Sequence, residues 1–168
     1  MPERVQKGQG TMRAFTFENA TKIYFGGGCV KEHLLEAVKP YGETVMLAYG
    51  GGSIKTNGIY QEVMDVLKLA GKQVIEFSGI MPNPTYSKVM EGKKVVQENQ
   101  VDLILAVGGG SVMDCSKAIS MAAATDKDVW EEYWIKKGEI DFGPVPVGVD
   151  CDRGRHWKRG QRRGCNHP

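Results

Sequence analysis

Residues 103–117 read LILAVGGGSVMDCSK: an apolar run, three glycines and a serine, then a segment with helical spacing. An apolar run without alternation is what a parallel strand needs when both of its faces are covered. Glycines at its end leave the backbone bare, so that N–H groups can face a ligand at close range. The helix that follows adds positive partial charge suited to phosphate. Residues 47–58, LAYGGGSIKTNG, repeat the arrangement earlier in the chain. One GGGS segment alone reads equally well as a tight turn; two of them, each between a strand and a helix, point to a shared ligand, and the pyrophosphate of a dinucleotide is a natural guest. In the second loop Ser111 can cap the helix, while Asp114, one turn in, stays on the ligand side. A solvated helix face is the plain alternative for Asp114 and Lys117. Neither loop has the G-x-x-x-x-G-K-[ST] or the G-x-G-x-x-G spacing, so an ATPase phosphate loop and an ordinary dinucleotide fingerprint are not supported.

Around these loops, strand and helix patterns alternate. FTFENATKIYFG (15–26), rich in aromatic and β-branched residues, suggests an opening strand or hairpin. Val30, Leu34, Leu35 and Val38 follow helical spacing up to Pro40 and Gly42. TVMLA (44–48) is a strand, and Ile59, Val63, Val66, Leu67 and Ala70 trace one helical stripe closed by Gly71. QVIEFSG (73–79) supplies another strand. Pro82 and Pro84 then make a rigid connecting loop. Thr85 caps a helix that runs to about Asn99, with Gly92 a mild weakness in it. Beyond the second loop come a helix from about Val112 to Ala124 and a helical VWEEYWIKK (129–137). PVPVGV (144–149) is a final strand. Trp130, Tyr133 and Trp134 belong in the core or at an interface, with a homodimer as the corresponding assembly. The alternation predicts an α/β fold: a Rossmann-like parallel sheet with helices on both faces, built from right-handed crossovers.

The chain of 168 residues, 41% hydrophobic and 25% charged, is long enough for one domain with a sizeable core. Its apolar runs are far shorter than the ~18 to 20 residues that cross a bilayer, and residues 1–13 read as a disordered polar leader without a signal core. A cytoplasmic location, with no membrane partner, follows by default. Cys29, Cys115, Cys151 and Cys165 form no C-x-x-C pair, so reduced thiols are expected, with Cys115 a small buried one. His33, His156 and His167 are isolated and support no metal site.

NATKIYFG (19–26), YGGGSIKTNG (49–58), PNP (82–84) and GGGSVMDCSK (108–117) occur in the order and context of one family. Through them, over about residues 14–149, the chain resembles the iron-containing (group III) alcohol dehydrogenases, particularly their NAD(P)H-dependent butanol dehydrogenase branch. The resemblance implies a dinucleotide-binding domain that takes NADP or NAD. Gly108, Gly109, Gly110 and Ser111 match the pyrophosphate loop, and Asp114 the acidic residue near the nicotinamide ribose. Asn83 matches a residue on the adenosine side. Gly50, Gly51 and Gly52 belong to the cofactor-binding residues, and Gly50 falls where NAD-selective relatives place an acidic residue against the adenine ribose. Ser53 and Lys55 could therefore help hold a 2′-phosphate; the alternative is a loop that binds the ribose without choosing. In the full-length family, hydride passes between a small alcohol or aldehyde and nicotinamide at an Fe or Zn ion. The ligands, an Asp and three His, lie in a C-terminal helical domain that has no counterpart here.

From residue 150 the pattern breaks. Residues 150–168 carry six Lys or Arg against two Asp, whereas the preceding part has 16 basic and 18 acidic residues. With one choice of codons, reading Cys151 onward one nucleotide later produces a segment containing G-T-G-S-E, the motif expected next in the family. The tail thus reads as out-of-frame translation, unstructured, and the chain alone as an inactive coenzyme-binding fragment. Two alternatives are a non-catalytic nucleotide-binding module and, less favoured, a nucleic-acid binder using Arg153, Arg155, Lys158, Arg159, Arg162 and Arg163.

Overall fold

A computed structural model describes residues 21–151. The expected leader at 1–13 lies outside the described residues, as does the tail beyond Cys151. Four parallel strands, β1 (Thr44–Tyr49), β2 (Gln73–Phe77), β3 (Leu103–Val107) and β4 (Val147–Asp150), form a sheet in the order β2-β1-β3-β4. Helix α1 (Cys29–Val38) precedes β1, and α2 (Ser53–Thr56), α3 (Ile59–Leu69), α4 (Tyr86–Glu98) and α5 (Gly110–Ala123) lie between successive strands.

Successive residues of a strand point to opposite faces, and both faces of this sheet are apolar. Val45, Leu47 and Tyr49 of β1 join Leu103, Leu105 and Val107 of β3 on one side, against Val38 of α1 and Val63 and Leu67 of α3. Met46, Ala48, Ile104 and Ala106 face the other side, against Val89 and Val96 of α4 and Val112, Cys115 and Ile119 of α5. The two-sided burial accounts for the unbroken apolar runs in β1 and β3, and the α/β sheet with helices on both faces is as the sequence predicts.

The Thr85 cap forms: its hydroxyl accepts from the Lys88 N–H at 3.4 Å. Cys115 is 1% exposed, and burial raises its thiol pKa. No described helix is long and apolar enough to cross a membrane.

Four local expectations require correction. Residues 21–25 are not a strand; Ile23 and Phe25 are exposed and the segment joins no sheet ladder among the described residues. Residues 15–20 of that expected hairpin lie outside the described residues. The last strand begins at Val147 rather than 144, because Pro144 and Pro146 have no N–H to give to a ladder. Its register also takes in Asp150, whose carbonyl accepts from the Gly108 N–H at 3.0 Å. The aromatic segment is a π-helix, Trp130–Ile135, in which the Lys136 N–H reaches the Glu131 carbonyl five residues back at 3.0 Å. The wider turn splits its aromatics: Tyr133 packs on the core, while Trp130 and Trp134 stack on each other at the surface. Ser111 is not the cap of α5; the helix starts at Gly110 with Gly109 as the capping residue, which places Ser111 inside the first turn.

Candidate functional site

The chain leaves β1 toward α2 and α3 on one face and leaves β3 toward α5 on the other. Adjacent parallel strands whose exits diverge in this way open a crevice at their carboxyl ends. Tyr49 and Val107 are register partners, so the residues that follow them, Gly50 and Gly108, begin their loops side by side. The connection after β2 folds back over the same rim, with the Gly79 N–H donating to the Gly50 carbonyl at 3.0 Å and the Ile80 N–H to that of Tyr49 at 3.3 Å.

The resulting cleft has a volume of about 240 Å³. Gly50, Gly51 and Ser53 form one wall and Gly108 to Ser111 the other, with Ile54, Ile80, Pro82, Val107 and Val112 as its apolar floor and sides. The two glycine loops singled out in the sequence thus meet at one site. None of the lining residues is charged. An anion would be held there by main-chain N–H groups, by the hydroxyls of Ser53 and Ser111, and by the positive end of α5. A small-molecule site commonly occupies ~300–1,000 Å³, so this cleft suits a diphosphate-sized portion of a larger ligand.

The glycines fall into two kinds. At Gly108, φ is +150° and an added Cβ would come within 2.9 Å of Val112 Cγ2, so close packing of α5 on β3 excludes a side chain. At Gly51 and Gly52 a Cβ would meet nothing within 4 Å and φ is not positive. The fold makes no demand for glycine there; a side chain would only narrow the approach to the wall.

Four of the sequence-derived candidates do not line the cleft: Gly52, Lys55, Asn83 and Asp114. Asp114 and Asn83 are exposed, the latter in a left-handed conformation with φ +55°. Lys55 instead joins a cluster that the sequence reading missed. Glu76 of β2 accepts hydrogen bonds from the Tyr60 hydroxyl at 2.7 Å and from the Tyr49 hydroxyl, and the Lys55 ammonium lies 3.5 Å from it. The phenols of Tyr49 and then Tyr60 hold the Glu76 carboxyl below the ordinary glutamate range; burial opposes them, and Lys55 adds a lesser downward pull. Hydrogen bonding to Glu76 raises the Tyr60 phenol. The only signal in the sequence was a carboxylate between the apolar Ile75 and Phe77 of the strand QVIEF.

A carboxyl with a lowered folded pKa contributes stability above its unfolded pKa and loses it as pH falls through the folded value. The stability of the protein should therefore fall more steeply below about pH 4.5, the ordinary value for this group, than that of Glu76→Gln. Urea melts of both proteins across the acid range would show it; parallel curves would remove Glu76 from the account of acid stability.

A family model described as "Iron-containing alcohol dehydrogenase" matches residues 20–149. The chain is 42% identical over 167 residues to the "Probable NADH-dependent butanol dehydrogenase 1" of Bacillus subtilis, covering 94% of this chain and 43% of that protein. To the "NADPH-dependent aldehyde reductase YqhD" of Escherichia coli it is 45% identical over 138 residues, or 82% of this chain and 35% of that protein. The crystal structure of NADH-dependent butanol dehydrogenase A from Thermotoga maritima superposes with a TM-score of 0.74 at 40% identity, over 81% of this chain and 34% of that one. The chain therefore spans less than half the length of these relatives.

Proposed function

The chain belongs to the iron-containing alcohol dehydrogenase family, and from that premise we propose that residues 14–149 form the coenzyme-binding domain of an enzyme that interconverts alcohols and aldehydes. The observation that carries this reading is the meeting of both glycine loops in one uncharged cleft at the carboxyl rim of the parallel sheet. The diphosphate of NAD(H) or NADP(H) would rest on the main-chain N–H groups of Gly108 to Ser111 at the start of α5, and Gly50, Gly51 and Ser53 would receive the adenosine side. Gly52, Asn83 and Asp114, outside the cleft, would serve the parts of the coenzyme that extend beyond it, with Asp114 at the nicotinamide ribose. When bound, the coenzyme supplies or accepts a hydride. The chain's own part is to fix the dinucleotide and leave its nicotinamide end open to the substrate.

The iron of the family name does not fit the described residues, which contain no group of three or more His, Cys, Asp or Glu able to hold a metal ion. Polarisation of the substrate oxygen would fall to residues outside this domain. We accordingly propose that the polypeptide of this sequence binds coenzyme but does not turn over. The purified protein should quench or shift NADPH and NADH fluorescence saturably, yet oxidise neither when given butyraldehyde with Fe²⁺ or Zn²⁺. Absence of saturable binding would overturn the coenzyme reading; aldehyde reduction at an ordinary enzymatic rate would overturn the claim of inactivity. The proposed out-of-frame origin of residues 150–168 has its own test: the coding DNA should show one inserted or deleted base near codon 150.

A further inference from the structure

Ser53 and Lys55 share the short helix α2, but only Ser53 opens on the cleft. The Lys55 ammonium is engaged elsewhere: it lies 3.5 Å from Glu76 Oε2, 4.6 Å from the centre of the Tyr60 ring and 5.3 Å from that of Tyr49. Glu76 is held in turn, since both phenols donate to its carboxylate. Two rings and one carboxylate therefore hold one cation on the side of α2 away from the cleft. The hold is electrostatic and not steric, because the Lys55 side chain is 49% exposed. An aromatic face and an anion both stabilise an ammonium, and a competing anion must match both before it gains the cation.

We propose that Glu76 is a specificity-determining residue: by keeping Lys55 over Tyr49 and Tyr60 it withholds that cation from a 2′-phosphate bound beside Ser53. The inference rests on the coenzyme reading above and adds the basis of selection. With no charged side chain in the cleft lining, a 2′-phosphate gains little there that a 2′-hydroxyl lacks, and phosphorylated and unphosphorylated coenzymes bind with similar affinity. Moving Lys55 from the carboxylate to a phosphate exchanges one exposed ion pair for another and gives up both ring contacts, so the lysine stays on Glu76. Removing the carboxylate charge alters that balance. Glutamine keeps an oxygen for the phenols while leaving Lys55 free to turn toward the phosphate.

The test is a titration of the full chain with NADPH and NADH, comparing the unmodified protein with Glu76→Gln and with the Glu76→Gln, Lys55→Met double variant. Glu76→Gln should improve NADPH binding relative to NADH by about three- to fivefold, the upper range for one exposed ion pair. The double variant should lose that gain. An unchanged ratio in Glu76→Gln, or a gain that persists without Lys55, overturns the proposal. A second readout needs no substitution: raising NaCl from about 50 to 500 mM should leave the NADPH-to-NADH ratio of the unmodified protein constant, because screening has no phosphate–lysine pair to weaken. A ratio that shifts against NADPH with salt shows a cation already on the phosphate and also overturns it. If neither coenzyme binds the unmodified protein, the coenzyme reading falls and takes this inference with it; if both bind saturably and the ratio does not respond to Glu76→Gln, only this inference falls.

Discussion

Replacing Gly108 with alanine is expected to weaken NADH and NADPH binding by about ten- to a hundredfold while leaving a cooperatively folded protein. At this residue φ is +150° and a Cβ would sit 2.9 Å from Val112 Cγ2 and 3.3 Å from Val112 Cβ. Val112 is buried in the first turn of α5 and also lines the cleft, so it cannot move aside without shifting that turn. Relief must come from the loop, and the loop is what presents the N–H groups of Gly109 to Ser111. A charge-assisted hydrogen bond is worth ~1.5–3 kcal/mol, and about 1.4 kcal/mol corresponds to a factor of ten in affinity. Misdirecting one such donor therefore produces the expected loss. Coenzyme titration beside a thermal melt separates the two effects. If binding is unaffected while the protein stays folded, the diphosphate does not rest on this loop.

Gly92→Ala should destabilise the fold by up to about 2 kcal/mol, although helix propensity alone predicts the opposite sign. In a helix interior, alanine is better than glycine by ~0.8–1 kcal/mol. Gly92, however, is where α4 crosses α5: a Cβ there would lie 2.3 Å from Ile119 Cδ1, 2.7 Å from Cγ1 and 3.2 Å from Cγ2. Ile119 is fully buried and β-branched, with little freedom to turn away. Overpacking of this kind costs ~1–3 kcal/mol, which outweighs the propensity gain. A urea melt should show a lower midpoint with an unchanged slope. Gly143→Ala is the control, since a Cβ there meets nothing within 4 Å. A stabilised Gly92→Ala protein would mean that the two helices pack less closely than described.

The same residue shows where local reading stops. In the sequence Gly92 is a weak point in the α4 pattern; in the fold it is the reason α4 and α5 can approach. Ser111 misled in a related way: a serine before a helical run is a good cap, yet Gly109, with no side chain, takes that place and makes Ser111 the second residue of the helix. The aromatic spacing of Trp130, Tyr133 and Trp134 assumes 3.6 residues per turn, and the π-helical turn breaks it. Lys55, proposed as a holder of a 2′-phosphate because Gly50 carries no carboxylate, lies beside Glu76, 21 residues away and on the next strand.

What the sequence by itself determined were features whose cause lies within a few residues of chain: strands apolar because both faces are covered, helices marked by their stripes, the Thr85 cap, and two bare loops at strand ends. From these, the parallel α/β fold and the glycine walls of the cleft were legible. Strand order was decided only in three dimensions. Placing β1 beside β3 sets Gly50 next to Gly108, placing β2 beside β1 brings Glu76 to Tyr49 and Lys55, and packing α4 on α5 presses Gly92 against Ile119. Each of these contacts joins residues remote in sequence, and their energies depend on which elements become neighbours, a property that no local period or propensity encodes.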